Sequence, residues 1–521
     1  MRRLLSLLML CASTGALAQS AGTAYNAHDF LDINNLRARV NALGDMWWDP
    51  ASATVACEYP AGSGKNIAAT GAIWMSAYDA GGGLRVAAQT YRQNGLDFWT
   101  GPTQTIFSEA EGTKWGRIWK VNKADINLFL SLPTHTLENT PASILEWPAY
   151  GNPYAKGAEG VPLTVFSDMA PFVDVDEDGS YNPLMGDYPA IKGDQMLWNV
   201  YTDGVDNHTE SGGTPLKVTI RQSSYAYDAS GTLGNILFYE YDITNQSNTS
   251  YDSFRLAFLA DMDLGDAFND YVGFDSARRM GIVFNGTSTD PVYGTEIPAA
   301  AIAILEAPGD APGVPVPVSF AMYNNDFSVT GSPEIPADYN HYIRGRNKAG
   351  EYLNYDSTYQ INWSVPGGST YECDSATLPN DRRFLISTGD TTFAAGATHK
   401  YVFALVVVPN AGGCPNTDFT GIADAVDTAI AVHDAPTGIA MAPAPASIKL
   451  YPNPATQEIN FSMDQPLQRV AAINTLGQSI DLPYHQENGR IVAHVSQLPA
   501  GVYTLSVSGK NYRQNAVFVK Q

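Results

Sequence analysis

The sequence predicts an all-β protein: an antiparallel β-sandwich body of one or two domains with few short helices, followed by a separate small domain. Two observations indicate the fold class, namely short apolar runs with period-two alternation and the 46 Gly and 32 Pro that separate such runs. A third, the Ala- and Pro-rich stretch 434–447, marks a linker before the small domain. A chain of 521 residues with 44% hydrophobic content is long enough to build more than one core.

The strand patterns are clearest in two segments of the body. Residues 236–244, ILFYEYDIT, alternate so that Leu237 and Tyr239 share an apolar face while Glu240 and Asp242 share a polar one, which predicts a half-buried strand. Residues 216–227 are its predicted hairpin partner. Residues 401–408, YVFALVVV, are apolar on both faces, which predicts a central strand covered on both sides.

Helical patterns are few and short. We predict one helix in residues 122–132 and a second in 140–147, with Thr140 as its cap and Pro141 at the first helical position. A third helix, over residues 421–432, closes the body because its apolar side chains recur every four residues.

The charge balance excludes some partners. A formal net charge of −23 repels phosphate backbones and anionic lipid surfaces, so we expect no nucleic-acid partner. No apolar run after the first residues approaches the roughly 20 residues of a transmembrane helix. Residues 1–18 have the arginines, short apolar run and small-x-small end of a secretory signal peptide cleaved before Gln19. A lipid-modified Cys11 is the alternative, but the bulky Leu10 before it disfavours this.

The cysteines that remain after cleavage are few. In an oxidising compartment Cys373 and Cys414 are the best disulfide candidates because they flank two strand-like runs, and Cys57 is expected to be free.

Residues 172–189, FVDVDEDGSYNPLMGDYP, concentrate carboxylates without a Lys or Arg. Asp174, Asp176 and Asp178 occupy positions 1, 3 and 5 of a calcium loop, Gly179 permits the sharp turn, and Ser180 offers a carbonyl oxygen. Position 12 of an EF-hand loop would carry a Glu, but Met185 stands there, so Asp187 or a distant acid would complete the shell. The sequence therefore predicts a structural calcium site, and the alternative is a solvated acidic turn.

A second acidic stretch follows the strand-like residues 254–260. Either it forms a second calcium site or its carboxylates are hydrogen-bonded within the loop, and the spacing fits no single template. Paired carboxylates also permit a glycosidase interpretation, although such pairs are commoner in metal loops. The candidate residues are Asp261, Asp263, Asp266, Asp270 and Asp275.

Tryptophans are concentrated before residue 200, and two interpretations remain open. Exposed rings at Trp47, Trp48 and Trp99 would contact a glycan, whereas buried rings would fill a core, which is the commoner role. Residues 61–66, AGSGKN, lack the first Gly and the final hydroxyl of a phosphate-binding loop. The sequence contains no HExxH zinc motif and no GxSxG elbow, so no local motif encodes a familiar hydrolase.

The last 75 or so residues contain three ordered motifs: SIKLYPNPA from Ser447, INTLGQ from Ile473 and LPAGVYTLSV from Leu498. They resemble the C-terminal sorting domain of type IX secretion cargo. The resemblance implies a small Ig-like β-sandwich that directs a periplasmic protein across the outer membrane. It implies recognition by the type IX machinery, cleavage of the domain, and release of the body or its attachment to surface lipopolysaccharide. The residues that carry the motifs are Pro452, Asn453, Pro454, Gly477, Pro499 and Gly501.

The body, from residue 28 to 436, is similar to large secreted β-rich proteins that carry this sorting domain, a likeness that brings no known activity. The sequence therefore predicts a secreted or cell-surface protein whose calcium-stabilised body acts in binding or adhesion to a glycan or protein. The alternative is an extracellular hydrolase acting on polysaccharide or protein. The predicted divisions are 1–18 signal peptide, 19–165 aromatic-rich β region, 166–433 calcium-binding body, 434–447 linker and 448–521 sorting domain.

Overall fold

The structure is a computed structural model that describes residues 26–93, 95–103, 109–205, 207–310, 318–353, 369–371, 378–435, 450–462, 467, 469–474, 479–487, 490–508 and 513–521. The predicted signal peptide, most of the predicted linker, Cys373 and Gly477 lie outside these residues.

Strands dominate the described residues, as predicted. The strands of the body are β1 (His28–Leu31), β2 (Arg37–Asn41), β3 (Trp48–Asp49), β4 (Thr54–Val55), β5 (Cys57–Glu58), β6 (Thr70–Tyr78), β7 (Leu84–Ala87), β8 (Trp99–Thr100), β9 (Trp119–Asn122), β10 (Phe172–Val173), β11 (Tyr188–Pro189), β12 (Gln195–Thr202), β13 (Val218–Ala226), β14 (Ile236–Asn245), β15 (Tyr251–Asp261), β16 (Asp270–Asp275), β17 (Met280–Asn285), β18 (Ala299–Glu306), β19 (Ser319–Asn324), β20 (Ser369–Tyr371), β21 (Arg382–Ser387), β22 (Thr391–Phe393) and β23 (Thr398–Val408). The C-terminal strands are β24 (Glu458–Ser462), β25 (Arg469–Asn474), β26 (Ser479–Asp481), β27 (Tyr484–Glu487), β28 (Arg490–His494), β29 (Gly501–Ser508) and β30 (Arg513–Lys520). The helices are α1 (Glu109–Lys114), α2 (Lys123–Ser131), α3 (Ala142–Leu145), α4 (Pro336–Ile343) and α5 (Phe419–Asp434).

Two antiparallel sheets form the sandwich of the body. The larger has ten strands in the order β20-β16-β17-β18-β23-β14-β13-β12-β8, with β9 also paired to β12. The smaller has six strands in the order β19-β21-β15-β6-β7, with β22 also paired to β15. A three-stranded sheet, β1-β2-β5, and the hairpins β3-β4 and β10-β11 complete the described strands of this unit.

The core between the sheets is apolar and centred on Phe258 of β15. Its ring lies 5.2 Å from Phe403 of β23 and 6.0 Å from Tyr239 of β14, measured between ring centroids. All three residues are 0% exposed and belong to one continuous cluster. Burial of this apolar surface is the main favourable contribution to folding of the sandwich.

Helices cover the outer faces of both sheets. Val402 and Val406 of β23 pack with Ile422 and Val426 of α5, so the strand is apolar on both faces, as predicted. On the smaller sheet, Trp74 packs on α4. The central position of β23 therefore requires the apolar side chains that the sequence places on both of its faces.

The predicted hairpin of β13 and β14 is confirmed, but the polar face of β14 is more covered than expected. Ile236 and Phe238 on that face are buried in the cluster that includes α5. Glu240 is only 8% exposed and pairs with Lys192 and Lys400. The helical layer covers the first half of this face, which the alternation alone does not reveal.

The predicted boundary between residues 165 and 166 is wrong. In the smaller sheet Ile73 of β6 pairs with Phe258 of β15, and in the larger one Trp119 of β9 pairs with Trp198 of β12. Both sheets thus contain strands from each side of the proposed boundary. The chain instead divides between Val432 and His433. An aromatic-rich composition marks a region of the core and not a separate domain.

The second unit is a smaller sandwich built from two antiparallel sheets, β24-β28-β27 and β26-β25-β29-β30. Its core includes Ile459, Phe461, Leu505 and Phe518, each 0% exposed. The predicted β-sandwich at the C-terminus is therefore present.

The predictions for the helices and for the cysteines have different outcomes. Helices α2 and α5 lie where expected, but α3 starts with Pro141 in the N-cap position, so the predicted cap at Thr140 is wrong. Cys57 is free and buried, and Cys414 is disulfide-bonded. Its predicted partner Cys373 is outside the described residues.

The inter-sheet core gives a packing prediction. Phe258→Ala should lower the free energy of unfolding of the body by about 3–5 kcal/mol, because it removes a fully buried ring between the two sheets. Phe268→Ala is the matched control, since that ring is 69% exposed and its loss should cost no more than about 0.5 kcal/mol. Denaturant unfolding followed by tryptophan fluorescence measures both. Equal effects of the two substitutions would contradict the packing assignment.

Candidate functional site

The acidic segment 174–187 is the loop of a short hairpin. Strands β10 and β11 pair antiparallel, with Val173 opposite Tyr188, so the first and last acids of the loop emerge side by side. One carboxylate oxygen from each of Asp174, Asp176 and Asp187 lies within 4.8 Å of the others. The distance between opposite ligands of a calcium ion is about 4.6–5.2 Å, so one ion could contact all of these oxygens.

Local hydrogen bonds give this loop its shape. The Gly179 amide donates to Asp174 Oδ2 at 2.8 Å, and the Ser180 amide donates to Asp178 Oδ1 at 2.7 Å. Gly179 has a φ of +81° and Glu177 a φ of +59°, both in the left-handed region. The sharp turn expected at Gly179 is therefore present, because glycine adopts this conformation without a steric cost.

Asp187 supports the loop from the protein interior. It is 0% exposed, and its two carboxylate oxygens accept hydrogen bonds from the amides of Val175 and Asn182, both at 2.8 Å. Burial raises the pKa of this carboxyl group despite those bonds, and the charges of Asp176 and Asp174 raise it further. A cation among the three groups would relieve both the repulsion and the cost of burial.

The predicted ligand set is only partly brought together. Asp174, Asp176 and Asp187 converge, whereas Asp178 stands outside the group within the described structure. Its carboxylate is exposed and closes the turn at Ser180 instead. The loop departs from the EF-hand template after Gly179, and the carboxylate at position 5 lies apart from the other three in the described structure.

A second group of acids lies at one end of the smaller sheet. Asp261 ends β15, Asp263 follows two residues later, and Asp381 directly precedes β21. One carboxylate oxygen of each lies within 4.8 Å of the others. Asp381 was missed in the sequence because it lies far along the chain. Only the pairing of β15 with β21 brings it to the other two.

The other predicted members of this stretch have separate local roles. Asp266 accepts a hydrogen bond from the Phe268 amide at 3.1 Å and so caps a short turn. Asp270 is buried and accepts from the Leu264 amide at 3.0 Å. Asp275 pairs with Arg278 at 3.1 Å. Each of the three therefore has a local hydrogen-bond or ion-pair partner, although Asp270 Oδ1 is buried without a partner among the described residues.

Arg383 is the positive charge in contact with the second group. Its Nε lies 3.0 Å from Asp261 Oδ2, and its Nη1 lies 3.0 Å from Asp381 Oδ1. Burial raises the pKa of Asp263 to about 6, and the charge of Asp381 contributes. Burial also raises the pKa of Asp261, even though Arg383 opposes this.

The hypothesis that exposed tryptophan rings contact a glycan is wrong for Trp47. Trp47 is 0% exposed, and its Nε1 donates to the Tyr239 hydroxyl at 3.0 Å, so the ring belongs to the inter-sheet core. Trp48 and Trp99 are half-buried. Only these two retain a ring surface that a ligand could contact.

A buried polar cluster resembles a catalytic set but does not have the required geometry. Ser211 Oγ donates to Asp97 Oδ2, while His208 is held by backbone carbonyls, with Nδ1 at 2.9 Å from Val86 O and Nε2 at 2.9 Å from Asp203 O. Both ring nitrogens of His208 face backbone carbonyl oxygens and the Ser211 hydroxyl is directed at Asp97, so the described residues form no serine–histidine hydrogen bond of the kind that activates a nucleophile. The cluster is structural.

A surface cleft of about 530 Å³ is lined by residues that include His28, Arg117 and Glu146. Glu146 bridges Arg117 at 2.9 Å and Lys156 at 2.7 Å. Burial acts to raise the pKa of Glu146, but hydrogen bonds from Lys156 and Arg117 hold it below its usual value. This carboxylate is paired and ionised, which does not suit a general acid.

The sorting motifs connect the ends of the C-terminal unit. Asn453 Oδ1 accepts a hydrogen bond from the Val519 amide at 2.9 Å, and the Ala455 amide donates to Val519 O at 2.8 Å. The Tyr503 hydroxyl donates to Pro499 O at 3.0 Å, and β29 begins at Gly501. The first and last motifs therefore stabilise one small fold from opposite ends of its sequence.

Residues 449–521 match the family described as the secretion system C-terminal sorting domain. The chain is a cargo protein of type IX secretion. The secretion machinery recognises this domain, and the cargo is exported to the cell surface or the extracellular space. Among the described residues, no helix has the length and apolar character needed to cross a membrane.

Comparisons of the whole chain with known proteins give no information about the activity of the body. A search among curated proteins found no match. Among solved structures, a polysaccharide lyase aligns over 58% of this chain and 34% of its own, with 9% identity and a TM-score of 0.20. Heparan sulfate lyase HepC from Pedobacter heparinus aligns over 95% and 41%, with 9% identity and a TM-score of 0.23. A copper-containing benzylamine oxidase from Hansenula polymorpha aligns over 73% and 60%, with 9% identity and a TM-score of 0.27.

The chain thus spans between 34% and 60% of the length of these structures. At such TM-scores the likeness carries no argument about the activity of the cargo.

A buried acid gives a pH prediction. Glu210 is 8% exposed, accepts from Thr90 Oγ1, and lies near Asp97 and Tyr339. Burial raises its pKa from 4.5 to about 7, so the folded state holds a proton that the unfolded state has lost between these values. The stability that this group contributes is therefore fully present below pH 4.5 and is lost as the pH rises through about 7.

Glu210→Gln keeps the acceptor oxygen but cannot ionise. Its melting temperature should exceed that of the wild type by an amount that grows between pH 5 and pH 7 and then levels off. Glu296→Gln, at an exposed position, is the control and should shift little at any pH. A Glu210→Gln effect that is the same at pH 5 and pH 8 would show that the carboxyl group is not perturbed.

Proposed function

We propose that the body is a calcium-stabilised module that acts in binding or adhesion outside the cell, where the sorting domain delivers it. The observation that carries the calcium part of this proposal is the convergence of Asp174, Asp176 and Asp187. In the described structure no Lys, Arg or His forms a salt bridge with any of the three. Calcium accepts carboxylate and carbonyl oxygens in flexible geometry, which suits this irregular loop.

The position of the loop supports a structural role for the ion. Tyr181 within the loop is 0% exposed, and its hydroxyl donates to Ile144 O at 2.7 Å. It belongs to the cluster that covers the outer face of the larger sheet, and Phe172 and Tyr188 pack against that cluster. An ion that fixes the loop would therefore also fix a part of the covering layer.

Binding is favoured over hydrolysis by the accessibility of the acids. Asp263, with a pKa raised to about 6 beside Asp261, is the arrangement that would favour an extracellular hydrolase. However, Asp261 is only 1% exposed and is paired with Arg383, so a polysaccharide or peptide could not reach it. Trp48 and Trp99 offer partly exposed rings, for which a glycan is a suitable ligand.

The export step can be tested by truncation. Deletion of residues 448–521 should leave the body in the periplasm of a host with a functional type IX system, because the recognised domain is missing. The control is the full-length Asp176→Ala variant, which changes the calcium loop and should still be exported. Cell fractionation and intact-mass measurement check the outcome. A truncated body that reaches the medium at the full-length rate would contradict the role of the domain.

The calcium site can be tested by thermal unfolding of the full-length protein. All nine tryptophans precede residue 448, so their fluorescence reports on the body. At free calcium a hundred times the dissociation constant, one site should add about 2.7 kcal/mol to the free energy of unfolding. Extracellular sites bind at about 10⁻⁴–10⁻³ M, so this hundredfold excess requires about 10–100 mM free calcium. Magnesium should stabilise less.

Two neighbouring acids provide a matched pair of variants for this experiment. Asp176→Ala removes a member of the converging group and should abolish the calcium-dependent rise that this site produces. Glu177→Ala removes an equal charge from an exposed position outside the group and should preserve the rise. Equal responses of the two variants, or a melting temperature that ignores a chelator, would identify the loop as a solvated acidic turn.

A further inference from the structure

The register of β15 and β21 explains why acids from distant segments meet. Asp261 lies opposite Arg383 in the antiparallel ladder. Because the strands are antiparallel, Asp263 and Asp381, each two residues beyond this pair, both lie just past the same end of the ladder. The oxygens of Asp261, Asp263 and Asp381 accordingly converge within 4.8 Å.

The contacts that the structure describes do not balance the charge in this group. Arg383 contacts both Asp261 and Asp381 at 3.0 Å. The described residues add no second Lys or Arg that forms a salt bridge with the three acids. One guanidinium against three carboxylates leaves two negative charges uncompensated when all are ionised.

Among the described residues, two buried carboxylate oxygens of the group also have no hydrogen-bond partner. Asp261 is 1% exposed, and its Oδ1 is buried without a partner among the described residues. The same is true of Asp263 Oδ1. An unsatisfied buried polar atom costs about 1–3 kcal/mol, and more if it is charged. A water molecule could donate hydrogen bonds to these oxygens but would leave the excess negative charge. A divalent cation would coordinate the oxygens and also neutralise the charge.

We propose that Asp261, Asp263 and Asp381 form a second calcium site, with Arg383 as the positioning residue that holds the first and the last of these carboxylates. The donors are all oxygens, as calcium prefers, and their separation is within the span of its opposite ligands, about 4.6–5.2 Å. The corresponding span for magnesium is about 4.0–4.2 Å. The site goes beyond the proposed function, because it shares no residue with the loop 174–187 and fixes the smaller sheet.

The number of bound ions tests this site in the full-length chain. After removal of metal with a chelator, equilibrium dialysis against calcium at pH 7.5 should give two ions per wild-type chain. Asp263→Asn, an isosteric change, should bind one ion, and so should Asp176→Ala, which affects only the loop. The variant with both substitutions should bind none. Asp266→Asn is the control from the same stretch and should still bind two, because Asp266 only caps a turn.

Several outcomes would overturn the second site. A wild-type count of one that falls to none in Asp176→Ala leaves no ion for the smaller sheet, and this comparison needs no variant of the second site. A count of two in Asp263→Asn would also overturn it. If Asp263→Asn does not fold, Asp381→Asn takes its place with the same expectation. A wild-type count of one that is lost in Asp263→Asn but kept in Asp176→Ala supports the second site. It would also show that the loop 174–187 binds no calcium, against the proposed function.

Discussion

The rest of the body depends on the apolar contact between its two sheets. Phe258 of the smaller sheet meets Tyr239 and Phe403 of the larger one, and this contact fixes the positions of β14, β15 and β23. The ends of the strands then determine where polar side chains can meet. Asp261 stands at the end of β15, opposite Arg383 on β21, because the core sets that register. The acidic loop is placed in the same way, by aromatic rings that cover the larger sheet.

Electrostatics is the second constraint. A net charge of −23 destabilises the compact chain through self-repulsion, and the structure concentrates part of this charge in two small groups of carboxylates. Buried acids elsewhere find individual partners, as Asp97 does with the amides of Ala88 and Glu210. Among the described residues, the two converging groups instead carry more negative charge than their salt bridges balance, and this excess is the basis of both calcium proposals. An extracellular location would supply millimolar calcium to such sites.

The sequence predicted what depends on local pattern. The two-sided burial of β23, the pairing of β13 with β14 and the sandwich architecture followed from alternation and apolar runs, and the sorting domain followed from three ordered motifs. Properties that depend on distant contacts could not be predicted. Asp381 joins Asp261 only through strand pairing, Trp47 is buried by strands from another part of the chain, and the boundary at 165 disappears because β6 pairs with β15. Asp178 shows that a partial template predicts the turn of a loop better than it predicts which carboxylates converge.

The most direct measurement of the central claim is an anomalous-scattering experiment on crystals of the body grown with calcium. If calcium occupies the loop, a peak should lie between the carboxylates of Asp174, Asp176 and Asp187, with ligand distances of about 2.3–2.6 Å. Side chains turned apart around ordinary solvent at millimolar calcium, without a peak, would contradict the calcium loop.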